Sequence, residues 1–192
     1  NINFHNLSLN CKRFLTNQQL TGSGKLSVSG NTTLTIKAEN IFPLFTNYNF
    51  HSFSNIIFEK NTLLPKNIQF GNVEVKSKIN LDLINTDSLF ISGNLIGAGK
   101  IKNHKNIIYN GTEKQKIKRM DYATLIYNNS SADTSSILGT CIIDSILILN
   151  GKILLGGLTI NNSEVKKNGT LIIGSSNPTF KRNLIIEGLV TL

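Results

Sequence analysis

The 192 residues include no tryptophan, one methionine, three prolines and two cysteines. No apolar run approaches the ~20 residues that a membrane-spanning helix needs. Neither a heptad nor a sustained 3.6-residue periodicity appears, so coiled coils and helical bundles are excluded. His5, His51 and His104 form no HExxH pattern and have no cysteine at zinc-ligand spacing. Gly22-Ser-Gly24-Lys25 lacks the Gly-Lys-Ser/Thr ending and the following helix of a phosphate loop. The sequence therefore calls for no cofactor and no metal. Cys11 and Cys141 are far apart: with coils of ~20 residues rising ~4.8 Å each, they sit roughly 30 Å from one another. A disulfide needs Cα atoms within ~7 Å, so none is expected, and Cys141 reads as a small buried hydrophobe.

What the chain has instead is short apolar runs separated by turn formers. Hydrophobic residues make up 40% and asparagine occurs 27 times. Thr140–Ile173 shows the pattern most clearly, with apolar runs at 141–149, 153–155, 158–160 and 171–173. Asn150-Gly151, Gly156-Gly157, Asn161-Asn162 and Asn168-Gly169 punctuate them. Ile-rich runs of this length, bounded by Asn and Gly, are strands.

Two units recur along the chain. One is an aromatic, a spacer and a short strand: Phe4-His-Asn-Leu7-Ser-Leu9, Phe53-Ser-Asn-Ile56-Ile-Phe58, Tyr122-Ala-Thr-Leu125-Ile-Tyr127 and, more loosely, Phe180–Ile186. The other is a Gly-rich corner leading into a strand, at Gly22–Val28, Gly97–Ile101 and Asn168–Ile173. Unequal spacing implies coils of variable length. Within the strands, Leu26/Val28, Leu34/Ile36, Val73/Val75 and Ile79/Leu81/Leu83 point one way and polar residues the other, as a wall with one buried face requires. At Ile146–Leu149 both faces are apolar, which predicts a covering segment or neighbour. The expected fold is all-β: one parallel β-helix, or β-solenoid, spanning 1–192, right-handed by the usual rule, with asparagine ladders at its corners. An irregular aromatic-rich insertion is expected at about 37–58.

Candidate surfaces are few. Lys114, Lys116 and Lys118, with Arg119, would share one face of a strand while Gln115 and Ile117 take the other. That strip could hold an anionic polysaccharide, or it could be a solvated face that discourages edge pairing. The net charge of +9 carries the same two readings: an anionic partner or simple solubility. Phe45, Tyr48 and Phe50 either pack on the core or offer flat rings to sugars. The eleven acids are scattered, and only Asp82/Asp87 and Asp121/Asp133 are close in sequence, without a calcium-loop pattern. Catalysis is not expected; a polysaccharide lyase or glycosidase would need carboxylates brought together by the coils.

The run Tyr122–Ser130, followed by Ile143–Leu149 and Asn150-Gly151-Lys-Ile-Leu-Leu-Gly156-Gly157-Leu-Thr-Ile160, resembles the repeats of large secreted or surface proteins of Bacteroidetes-type bacteria. Gly97–Ser130 resembles the unit that usually precedes them, with Tyr109-Asn-Gly-Thr112 and Gln115 in place. The resemblance covers about two thirds of the chain and is poor over Lys37–Phe70. It implies a parallel β-helix, export, and an adhesive or scaffolding role, and it brings no catalytic residues. The sorting domain usual at the C-terminus of those proteins is not in this stretch. The functional expectation is an extracellular structural or adhesive protein, a segment of a longer chain or of a head-to-tail fibre. Its partners would be further solenoid segments or copies, with polysaccharide as the alternative and without nucleic acid. A carbohydrate-binding or carbohydrate-cleaving β-helix is the alternative function.

Overall fold

A computed structural model describes residues 2–66 and 68–192. Among the described residues all regular structure is strand, and the chain is a β-solenoid of about ten turns whose sheets are parallel. The fold class expected from alternation and turn spacing is the one observed. The chain divides into two compact units, Asn1–His104 and Lys105–Leu192.

In the first unit successive coils lay strands into three walls. One wall runs from Ile2–Phe4 and Leu7–Leu9 to Leu20–Val28 and on to Leu44–Phe50. A second stacks Arg13–Thr16, Thr33–Ile36, Asn55–Phe58, Asn72–Val75 and Leu95–Ile96. A third stacks Thr62–Leu63, Asn80–Asp82 and Lys100–Lys102. Coil length varies, since Ile56 pairs with Val73 whereas Thr21 pairs with Leu44. Side-chain period two then decides the core. Leu34, Ile56, Val73 and Leu95 form one inward column, and Ile36, Phe58 and Val75 another, all fully buried. Each such aliphatic side chain contributes about 1.5–3 kcal/mol by leaving water.

The stretch 37–58 contributes two regular strands to these walls, Leu44–Phe50 and Asn55–Phe58. Only 37–43 and the short corner at 51–54 are irregular. Sequence periodicity is hard to see there because aromatics occupy inward and outward positions alike.

In the second unit the strands lengthen. Tyr122–Asn128 pairs with Ile142–Gly156, which pairs along its length with Thr159–Ile173, followed by Thr179–Ile186 and Leu189–Thr191. The two 15-residue strands turn a corner with a register shift in their ladder between Ile148 and Asn150. Gly151 allows this: its φ is +85°, a backbone conformation that glycine adopts without strain. Gly22 and Gly24 likewise lie inside a strand, Leu20–Val28, at a register shift between Gly22 and Lys25 and over the break between Ile2–Phe4 and Leu7–Leu9. Gly22 is needed for room, because a Cβ there would fall 2.1 Å from the Phe45 ring.

Asparagines bridge adjacent coils. Nδ2 of Asn94 donates to Oδ1 of Asn72 at 2.9 Å, and Nδ2 of Asn183 donates to Oδ1 of Asn162 at 3.2 Å. Asn80 donates its backbone N–H to Oδ1 of Asn61 at 2.9 Å. These bonds supply polar partners where the chain leaves a strand.

Candidate functional site

The basic segment 111–119 makes little ladder of its own; a single parallel bridge joins Lys116 to Ser136. Lys114, Lys116 and Arg119 are exposed, Lys118 is half-buried, and Gln115 and Ile117 are buried. Side chains from below hold the segment in place. Tyr109 Oη accepts from the Lys118 N–H at 3.2 Å, and Tyr122 Oη donates to the Lys118 carbonyl. Ser135 Oγ accepts from the Gln115 N–H at 3.1 Å and from Tyr127 Oη at 2.9 Å. Asn129 Nδ2 donates to Oε1 of Gln115 at 2.7 Å and to the Glu113 carbonyl at 2.8 Å. Sequence reading singled out the lysines but missed this buried network beneath them. Its signal was there: the tyrosines stand at inward strand positions, and a buried phenol needs a hydrogen-bond partner.

Electrostatically the network is a set of neutral phenols. Burial pushes the Tyr109 and Tyr122 hydroxyls well above the ordinary tyrosine range, and it raises Tyr127 as well. Burial lowers the Lys118 ammonium. Cys141 is half-buried rather than enclosed; burial first, and Asp121 second, raise its thiol. Cys11 is exposed, and both cysteines are free.

Phe45, Tyr48 and Phe50 do not form a sugar-stacking platform. Phe45 and Phe50 are only 8% and 7% exposed, so neither ring presents a face to a ligand. Phe50 packs against Phe42 and Phe70, and Phe45 lies over Gly22. Tyr48 Oη accepts from the Phe45 N–H at 3.0 Å and donates to the Pro43 carbonyl at 2.9 Å. Phe45 and Phe50 both turn inward although they lie five residues apart, because the ladder shifts register between Gly22 and Lys25, opposite residues 45–47.

Among the described residues no three His, Cys, Asp or Glu side chains gather as a metal site. Several acids serve the backbone and the corners. Asp82 Oδ1 accepts from the Ile84 N–H at 3.0 Å and from Asn103 at 2.8 Å, and Asp121 Oδ1 accepts from the Ile142 N–H at 2.8 Å.

The last coil is the other conspicuous surface. Ser163 and Val165 are buried, whereas Leu184 and Ile186, their partners in the next layer, are 41% and 48% exposed. Val190, in register with buried Leu171, is likewise partly exposed. Core-facing positions thus become surface on this layer. The chain matches no protein-family model, no curated protein and no solved structure.

Proposed function

We propose that this protein is a structural β-solenoid of the cell surface or extracellular space, built to extend into a rod by stacking coil upon coil. The observation that carries this reading is the apolar layer formed by Leu184 and Ile186 over buried Ser163 and Val165, and by Val190 over buried Leu171. Another coil laid on it would bury those side chains and pair the open strand edge of Thr179–Ile186, which otherwise templates association. The repeats shared with secreted bacterial surface proteins support export and an adhesive or scaffolding role. This reading assigns no catalysis to the chain. Head-to-tail addition of a second copy is a heterologous contact and would generate open filaments.

Sedimentation over a concentration series, followed by electron microscopy, tests the reading. Concentration-dependent rods with a ~4.8 Å axial repeat are expected. The double substitution Leu184→Asp and Ile186→Asp should leave a monomer with its strand signal intact. A chain that stays monomeric at every concentration, or rods unaffected by the double substitution, would overturn it.

A further inference from the structure

The two units carry the same groove on an outer wall. In the first unit, Thr33, Asn55 and Asn72 form a polar column along successive coils, beside a column of Ile57, Glu74 and Ile96. In the second, Thr124, Ser145 and Asn162 run beside Leu147, Glu164 and Ile185. Each is a shallow hollow, of about 120 Å³ and 200 Å³ respectively. Both are below the roughly 300–1,000 Å³ that encloses a drug-sized ligand. The shape suits a chain lying along the wall.

Three features define what would lie there. First, the fold does not use some of the groove's polar groups: the side chains of Thr33, Asn55, Thr124 and Ser145 make no hydrogen bond among the described residues. Second, the neighbouring column offers aliphatic surface, with Ile96 and Ile185 41% and 52% exposed. Third, each groove is electrically balanced on a chain of net charge +9. The single carboxylate of each is paired with a lysine two residues along: Glu74 with Lys76 at 2.6 Å, and Glu164 with Lys166. Lys166 also bonds Glu187 at 3.2 Å, and its ammonium is raised by Glu164 first and Glu187 second.

We infer that these grooves bind a neutral polysaccharide, with sugar C–H faces on the aliphatic column and sugar hydroxyls on the hydroxyl and amide column. An anionic polymer would find no net positive charge there. A peptide would need a strand edge, and these are sheet faces. The inference goes beyond the assembly reading and does not depend on it, because the grooves open on outer wall faces: of the last layer only Ile185 and Asn183 line one, whereas the stacking surface is made by Leu184, Ile186 and Val190.

Affinity electrophoresis of the whole chain through gels containing cellulose derivative, mannan, dextran or laminarin, with polygalacturonate as the anionic control, tests it. At least one neutral polymer should retard the protein, and the retardation should persist to about 1 M NaCl, where the screening length is ~3 Å. The double variant Ile57→Asp and Leu147→Asp should weaken binding at least about tenfold. Asn55→Arg with Ser145→Arg, which fills both grooves from positions whose side chains make no hydrogen bond, should do the same. Lys114→Ala with Lys116→Ala should change nothing. The inference is overturned by no retardation in any neutral gel. It is equally overturned by retention only on polygalacturonate that salt abolishes, or by groove variants that circular dichroism shows folded yet bind like the parent.

Discussion

Asn55-Ile-Ile-Phe58 and Asn106-Ile-Ile-Tyr109 differ at their last position by one hydroxyl, and the two units differ around it. In the first unit Phe42, Phe50, Phe58 and Phe70 pack ring on ring at centroid distances of 5.1–6.5 Å, with the single phenol of Tyr48 at their edge. In the second, Tyr109 stacks in register on Tyr127, and Tyr109 Oη lies 3.3 Å from Tyr122 Oη. Those hydroxyls serve the backbone N–H and carbonyl of Lys118, while Ser135 and Asn129 serve Gln115 and Glu113, in a segment that a regular wall would have satisfied by strand pairing. A phenyl core needs regular walls around it. A phenol core tolerates an irregular wall, provided every hydroxyl is matched.

Alkaline titration should separate the units most. The phenols of Tyr109, Tyr122 and Tyr127 are raised by burial, so the folded state favours their protonated form. Their contribution to stability is intact below the unfolded tyrosine value of about 10 and falls as pH rises from there toward the higher folded values. Phenolate absorbance should stay suppressed past about pH 10, then appear together with loss of the strand signal. Hydrogen exchange should accelerate first within 105–192, because the first unit has only Tyr48 to titrate. Phenolate appearing at ordinary pH in a fully folded chain would break the comparison.

Phe70→Ala comes next, at about 3–5 kcal/mol of lost stability. That ring meets Phe42, Phe50 and Phe58 at once, and its removal leaves a cavity that rigid walls cannot close. Urea denaturation reads the loss, and a loss below about 1 kcal/mol would mean that the phenyl cluster is loosely packed.

Exchanging the chemistry of the two cores should cost less, in both directions. Tyr122→Phe leaves the Lys118 carbonyl without its donor, at about 1–3 kcal/mol. It should also expose 111–119 to proteolysis, which a plain packing change would not do. Phe58→Tyr puts a hydroxyl among rings at a fully buried position, at a cost of about 1–3 kcal/mol by denaturation. If either exchange is silent, the hydroxyl is not what distinguishes the units.

The walls were legible in the sequence because their rule is local. Leu26/Val28, Leu34/Ile36 and Val73/Val75 alternate with polar neighbours, and all six are buried. Coil boundaries were partly legible: Gly97, Gly151 and Gly157 have positive φ and Gly22 and Gly24 sit at a register shift, but the ring packed over Gly22 leaves no mark in local composition. The aromatic stretch misled for a related reason. Phe45 and Phe50 lie five residues apart and are both buried, so their placement depends on a register shift that local composition does not mark. The paired grooves were not legible at all. Thr33, Asn55 and Asn72 are distant in sequence, and only the register of successive coils brings them into a column.

The smallest expected effect has the opposite sign. Thr35 is fully buried between Leu34 and Ile36, and in register with Leu15 and Ile57, yet its Oγ1 has no hydrogen-bond partner. It is the counterpart of Ser135, a buried hydroxyl of the second unit that accepts from both Gln115 and Tyr127. A buried unpaired hydroxyl loses its water without recompense. Thr35→Val removes that hydroxyl while keeping the branched Cβ that strands favour, and should raise stability by about 1 kcal/mol. Ser135→Ala, by contrast, should lower it, because two donors would lose their shared acceptor. Urea midpoints at constant slope measure both. A destabilised Thr35→Val would mean that a buried water completes the site, and the first unit would then share the satisfied polar interior that sets the second apart.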